Sequence, residues 1–162
     1  MQIIIWLSRY FSVTYIIFQV QFPYILQTIY KRFMTIYTSY FAGLKNLPAD
    51  IVPIGISRYP PKWYNGISYK KLAPTGDMLR LSIPEYHPRF EAILRALDPK
   101  QVAKEIEQLS KGKDCALICF ERPGDFCHRH MVGNWLNFNG VFVQEFNAKE
   151  HGQKYAAQSA LF

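Results

Sequence analysis

The sequence predicts an α/β domain of three layers, built around a mostly parallel, Rossmann-like central sheet. Two short and almost wholly apolar runs, "IVPIGIS" at 51–57 and "CALICF" at 115–120, are too brief for buried helices and read as interior strands. Between them, apolar residues recur at helical spacing over 88–97 and again beyond Asp98. A last β-branched and aromatic run at 141–146 follows a further helical segment. Strands and helices therefore alternate, as crossovers over a parallel sheet require.

The elements follow in order. Residues 35–41 are β-branched and aromatic, end before Ala42-Gly43, and predict the first strand. Residues 44–50 connect it to the second strand, 51–57, where Pro53 falls near the start. In "RYPPKWYNG", Pro60-Pro61 enforces extended backbone and Asn65-Gly66 marks a turn, so this is a structured loop. The segment "KKLAPTGDMLRLSIPEYHP" carries mixed signals, and a loop with a short helical turn is expected. Phe90, Ile93, Leu94 and Leu97 then define the buried face of a helix over 88–97. Asp98-Pro99 reads as an N-cap with proline in the first helical position. Val102, Ile106 and Leu109 continue the stripe, and Gly112 stops it. After the strand at 115–120, Asp125 is expected to cap a helix over about 126–137, which Asn139-Gly140 ends. Residues 141–146 form the last strand, and 147–162 a tail of weak helical potential.

At 162 residues, 49% apolar and 19% charged, the chain suits one folded domain and not a disordered one. The net charge is +7, with Arg9, Lys31 and Arg32 preceding the first acid, Asp50. The +4 left to residues 34–162 suits an anionic small molecule or a weak nucleic-acid contact, and ordinary solubility explains it equally well. Three cysteines, Cys115, Cys119 and Cys127, fall in one window. An odd count without an evident signal peptide argues against a secreted disulfide scaffold and for a reduced, cytoplasmic protein.

Residues 1–33 are aromatic, rich in isoleucine and free of acids. Arg9 interrupts the apolar run and no small-residue cleavage site follows, unlike a signal peptide. The most apolar stretch, 13–29, contains Gln19, Gln21, Pro23 and Gln27, where a spanning helix needs about 20 mostly apolar residues. These residues read as an upstream extension, with natural translation starting at Met34. The alternative is an interfacial anchor ending in Lys31-Arg32, and a membrane contact is expected only in that case.

The chemistry concentrates where the "CALICF" strand gives way to "ERPGDFCHRH". Segments following the carboxyl ends of parallel strands line the ligand crevice. Ser57-Arg58 and the stretch from Glu121 to Arg129 both occupy such positions, and they face one another if their strands are neighbours. His128, Arg129 and His130 in the first turn of a helix oppose its dipole, which a bound phosphate or carboxylate would offset. Glu121 or Asp125 could instead be the internal anion. Cys115 reads as core packing. Cys119 ends the strand and faces either core or crevice. Cys127 is the stronger thiolate candidate, because a helix N-terminus and neighbouring His or Arg lower a thiol pKa. Glu121, partly desolvated, suits a general base or a salt bridge to Arg129 or Arg58. Cys119, Cys127, His128 and His130, with His87 in reserve, are zinc-ligand types, although their spacing matches no standard pair. The loop "RYPPKWY" could stack a nucleobase or serve as a lid packed by Trp63 and Tyr64.

The segments "IYTSYFAGLKNLP", "IGISRYPPKW", "LAP" and "CFERPGDFCHRHMVGNWL" together resemble the family catalogued as domain of unknown function 488. The matching residues are Ser57 and Arg58, then Cys119, Glu121, Cys127, His128 and Arg129, and the resemblance spans about 34–146. It implies an α/β fold and a clustered polar site, and names no reaction or cofactor. The leading expectation is a domain that binds or acts on a phosphorylated or nucleotide-like ligand. In it Glu121, Cys127 and His128 are the reactive or orienting groups, and Ser57, Arg58, Cys119 and Arg129 bind the ligand. A non-catalytic nucleic-acid module and a small zinc protein are the alternatives.

Overall fold

The computed structural model describes residues 34–151. The expectations for residues 1–33, whether extension or anchor, and for 152–162 in the tail lie outside the described residues. Among the described residues no helix is long and apolar enough to cross a membrane.

Five strands form one sheet: β1 (Ile36–Tyr40), β2 (Val52–Gly55), β3 (Ile67–Ser68), β4 (Cys115–Cys119) and β5 (Val143–Glu145). All pairings are parallel, in the order β3-β2-β4-β1-β5. The helices α1 (Ile83–Arg95), α2 (Pro99–Ser110) and α3 (His128–Phe138) accompany them. β4 lies between β2 and β1 and is buried along its whole length, which is why "CALIC" carries no polar alternation. On one face Ile36, Ile54, Cys115 and Leu117 pack against Phe90, Leu94, Val102, Ile106, Val132 and Leu136 from all three helices. On the other, Tyr37, Ala116 and Ile118 are covered by Phe41 and Leu44 of the 3-10 segment after β1 (Phe41–Asn46) and by Leu47 just past it, together with Tyr64 and Phe146.

The two faces follow from connection handedness. Parallel crossovers are right-handed, so connections running in opposite directions across a sheet must lie on opposite faces. The β1-to-β2 connection passes over β4 in one direction, while β3-to-β4 and β4-to-β5 run the other way. The first carries the 3-10 segment, and the other two carry the α-helices. The chain leaving β2 heads toward β3 and the chain leaving the adjacent β4 heads toward β5, which opens a crevice at their carboxyl ends.

α1 and β3 differ from expectation. α1 begins at Ile83 and not at 88, because Ser82 and Glu85 cap it reciprocally: a Glu85 carboxylate oxygen accepts from the Ser82 N–H at 3.1 Å and its hydroxyl at 2.5 Å. β3, only two residues long, follows Gly66, where a Cβ would lie 2.5 Å from the Tyr64 ring. Tyr64 donates its hydroxyl proton to the carbonyls of Pro53 and Ile67, tying the proline loop down on β2 and β3. The cap of α2 is as expected, with an Asp98 carboxylate oxygen accepting from Lys100 N–H at 2.8 Å and Gln101 N–H at 3.3 Å.

Phe90 is fully buried between the helices and the sheet, so Phe90→Ala should lower the unfolding free energy by about 3–5 kcal/mol. Asp98→Ala should cost about 1 kcal/mol, the worth of one N-cap. Urea titration of both variants checks the ranking, and equal losses would contradict it.

Candidate functional site

The crevice holds a cavity of about 310 Å³. Its polar side is formed by Ser57, Arg58, Cys119, Glu121, Cys127 and His128, and its apolar side by Met78, Leu79, Tyr86, Phe120 and Phe126 among others. The neighbouring strands that this convergence needs are present: β2 pairs with β4 in register from Val52↔Cys115 to Gly55↔Ile118. Ser57, 4% exposed, has a hydroxyl that finds no hydrogen-bond partner among the described residues. Beside it, Lys70 donates to the backbone carbonyls of Ser57 at 2.9 Å and Arg58 at 2.7 Å, which fixes the backbone of this corner.

Opposite Ser57, one Glu121 carboxylate oxygen accepts from both thiols, Cys127 at 2.8 Å and Cys119 at 3.1 Å. His128 completes the group. Its Nε2 lies 3.0 Å from the Ile56 carbonyl, which can only accept, so Nε2 carries the proton and donates it. In the neutral ring Nδ1 then presents a lone pair, 3.5 Å from the Cys119 sulfur. The ring is held edge-to-face against Phe90, centroids 5.2 Å apart. One donor atom from each of Cys119, Glu121, Cys127 and His128 lies within 4.8 Å of the others, so these four residues could hold a metal ion.

Cys127, not Asp125, caps α3, and the helix begins at His128. The reason is local. Gly124, at φ +94, and the Asp125 N–H bonded to the Arg122 carbonyl complete a separate turn first. The Cys127 sulfur then takes the capping position and accepts from the Arg129 N–H at 3.5 Å.

Arg129 lies behind the cavity and not on it. Its side chain is 0% exposed and forms a two-pronged pair with Glu145 of β5, Nη2 to Oε1 at 3.1 Å and Nε to Oε2 at 3.4 Å. Its Nη1 donates to the Glu121 backbone carbonyl at 2.6 Å. The expectation that Glu121 pairs with Arg129 through its carboxylate is therefore corrected: the carboxylate serves the thiols and only the carbonyl meets the guanidinium. Glu145, rather than Glu121 or Asp125, supplies the internal anion. It also accepts from the Thr38 hydroxyl and lies 3.6 Å from His130.

The electrostatics separate the cysteines. The Cys119 thiol is pushed far up by its hydrogen bond to Cys127 and then by burial, so it stays protonated. Cys127 is held well below the ordinary thiol range by the hydrogen bond from Cys119 and then, against the cost of burial, by His128. Burial opposes the Glu121 charge, but the hydrogen bonds from Cys127 and Cys119 outweigh it and lower its pKa. Cys115, deep in the sheet, is pushed up to about 12 by burial and takes no part.

Residues 36–140 match the family DUF488-N3a, described as the active DUF488-N3 subclade. The chain belongs to this family. No curated protein and no solved structure matches it.

Of the seven residues expected to form the site of this family member, six line the cavity, and Arg129 supports it from behind. His130 and His87 lie elsewhere, paired with Glu145 and with Glu91 on the surface of α1. Tyr86 was not foreseen. It stacks on Phe90 and meets Phe126 edge-on on the cavity wall. The Ser82–Glu85 capping signature would have placed it one helical turn before Phe90, on the same face. Glu145 carried no local signal, being on β5, sixteen residues from its partner on α3.

Removing Glu145 strands a fully buried cation, whereas removing Arg129 leaves a carboxylate 35% exposed that water can reach. Glu145→Gln should therefore cost about 3 kcal/mol and more than Arg129→Met, as read from denaturant midpoints; the reverse order would refute this account of the pair. With a chelator present, alkylation of Cys127 by iodoacetamide should follow a titration centred below the ordinary thiol value of about 8.5 and be level above it. Glu121→Gln removes a negative neighbour that disfavours the thiolate, and should move that profile to lower pH.

Proposed function

We propose that this chain is a cytoplasmic enzyme acting on a small phosphorylated or nucleotide-like molecule, with Cys127 as nucleophile and the anionic group held at Ser57-Arg58. The observation that carries this reading is the buried, unpartnered Ser57 hydroxyl in a cavity whose opposite wall bears the Cys127–Glu121 pair. A buried hydroxyl without a partner is costly, and a ligand oxygen would satisfy it. Arg58 stands exposed at the same rim and supplies the charge. Met78, Leu79, Tyr86 and Phe126 offer an apolar wall of the sort that holds a ring.

In this reading the Cys127 sulfur bonds to an electrophilic carbon as the bond to the leaving group breaks. The thiol proton passes to the Glu121 carboxylate 2.8 Å away and on to the departing group. Water then adds its oxygen to the carbon as the carbon–sulfur bond breaks, and its proton returns through Glu121 to the Cys127 sulfur. His128 orients Cys119, and Arg129 acts through Glu121 as a positioning residue. The description of the family subclade as active supports an enzyme over a binding module.

A nucleic-acid reading draws on Tyr59, 65% exposed, and Trp63, 62% exposed, beside Arg58 and Lys62. One experiment separates the two. Thermal-shift screening of the full chain against nucleoside monophosphates, sugar phosphates and inorganic phosphate should find a stabilising ligand. Arg58→Ala should abolish the shift, and Ser57→Ala should weaken affinity by about tenfold, one hydrogen bond's worth. Binding of single-stranded nucleic acid alone, steeply salt-dependent and intact in Glu121→Gln, would replace this proposal.

A further inference from the structure

We infer that Cys119, Glu121, Cys127 and His128 form a binding site for a thiophilic divalent cation, Zn²⁺ in the first place, and that the bound metal silences the Cys127 thiol. The silencing rests on the nucleophile reading above; the metal site stands on its own geometry. A tetrahedral zinc site with two sulfurs, one nitrogen and one oxygen sets its donors about 3.3–3.8 Å apart. The contacts here are 2.8, 3.1 and 3.5 Å with all four donors inside 4.8 Å, so the Glu121 oxygen must move outward from the sulfurs and the widest pair close by about 1 Å. The two sulfurs select a soft or borderline metal over Mg²⁺ or Ca²⁺.

The surroundings are those of a ligand set and not of a chance cluster. The Nε2–H of His128 is bonded to the Ile56 carbonyl, which fixes the tautomer whose Nδ1 lone pair faces Cys119. A backbone carbonyl that holds the far ring N–H is typical of metal-bound imidazoles. The Arg129 N–H points at the Cys127 sulfur, where it would steady a metal-bound thiolate. Three donors come from buried residues, while Glu121 is half-exposed on the cavity side, the ligand that an incoming group would displace. The spacing in the chain conceals this set, because the turn at 122–126 and not a short motif brings Cys127 back beside Cys119.

On binding, the thiol protons leave to solvent and Sγ–metal bonds form, so a loaded Cys127 shares its charge with the metal, is hemmed in by the other three ligands and is a much weaker nucleophile. The test uses the full chain, reduced and stripped by a chelator, then titrated with Co²⁺ alone and afterwards with Zn²⁺. One Co²⁺ per chain should bind, with a thiolate-to-cobalt charge-transfer band and tetrahedral visible bands that Zn²⁺ abolishes. Cys119→Ser and Cys127→Ser should each weaken binding by about 100-fold or more, and Cys115→Ala should leave it unchanged. In the unmodified protein, which avoids any question of folding, saturating Zn²⁺ should stop alkylation of Cys127. Absence of the charge-transfer band, its survival in the double Cys119/Cys127 variant, or alkylation unaffected by Zn²⁺ would overturn the inference. Because no phosphorylated compound enters these assays, failure of the ligand screen and failure of the metal titration remain separate results.

Discussion

The guanidinium of Arg129, wholly out of contact with solvent, joins three parts of the fold that the chain keeps apart: the first turn of α3, the carboxylate of Glu145 on β5 and the backbone carbonyl of Glu121 beyond β4. A buried cation is tolerable only when its donors are matched and its charge countered. That requirement fixes where Glu121 leaves the strand and where Cys127 begins the helix. The carboxylate and the two sulfurs of the site are therefore placed by an interaction none of them makes with its own side chain. Thr38 and His130 gather on the same Glu145, so the β1–β5 edge of the sheet is tied into the arrangement.

The sheet order makes the rest follow. With β4 between β2 and β1, the ends of β2 and β4 lie side by side and their chains diverge. The divergence leaves room at the carboxyl ends, and the side chains reaching that room come from both segments. Arg58 and Ser57 approach from one side, Glu121, Cys127 and His128 from the other, and α1 closes the cavity with Tyr86. The proline loop, pinned by the hydroxyl of Tyr64, keeps the β2 side in place while leaving Tyr59 and Trp63 exposed. It behaves more as a braced shoulder than as a free arm.

The thiol cluster shows how one acid can set two cysteines to different tasks. Glu121 accepts from both sulfurs, yet only Cys127 also receives a backbone N–H at a helix start. The helix end favours negative charge there, which acts in the same direction as the hydrogen bond from Cys119 in lowering the Cys127 pKa. A network in which every member has a partner is rigid. Against it, the hydroxyl of Ser57 is the one buried polar side-chain atom without a hydrogen-bond partner among the described residues.

Much of this protein is set by short-range rules that the sequence alone obeys. Apolar runs of strand length gave "IVPIGIS" and "CALICF" as interior strands, Asp98-Pro99 announced α2, and the pairing of Cys119 and Glu121 with Cys127, His128 and Arg129 marked the polar junction. The start of α1 was legible too, in the Ser82–Glu85 cap, but its proline-rich opening obscured it. What only the tertiary structure decided is which of these local pieces meet. That β2 lies against β4, that Glu145 answers Arg129 and that Ser57 opens onto Cys127 depend on strand order and on contacts between residues far apart in the chain. Capping and periodicity act over a turn or two of backbone and hold no information about such neighbours. Long-range pairing is selected by the packing of the whole sheet.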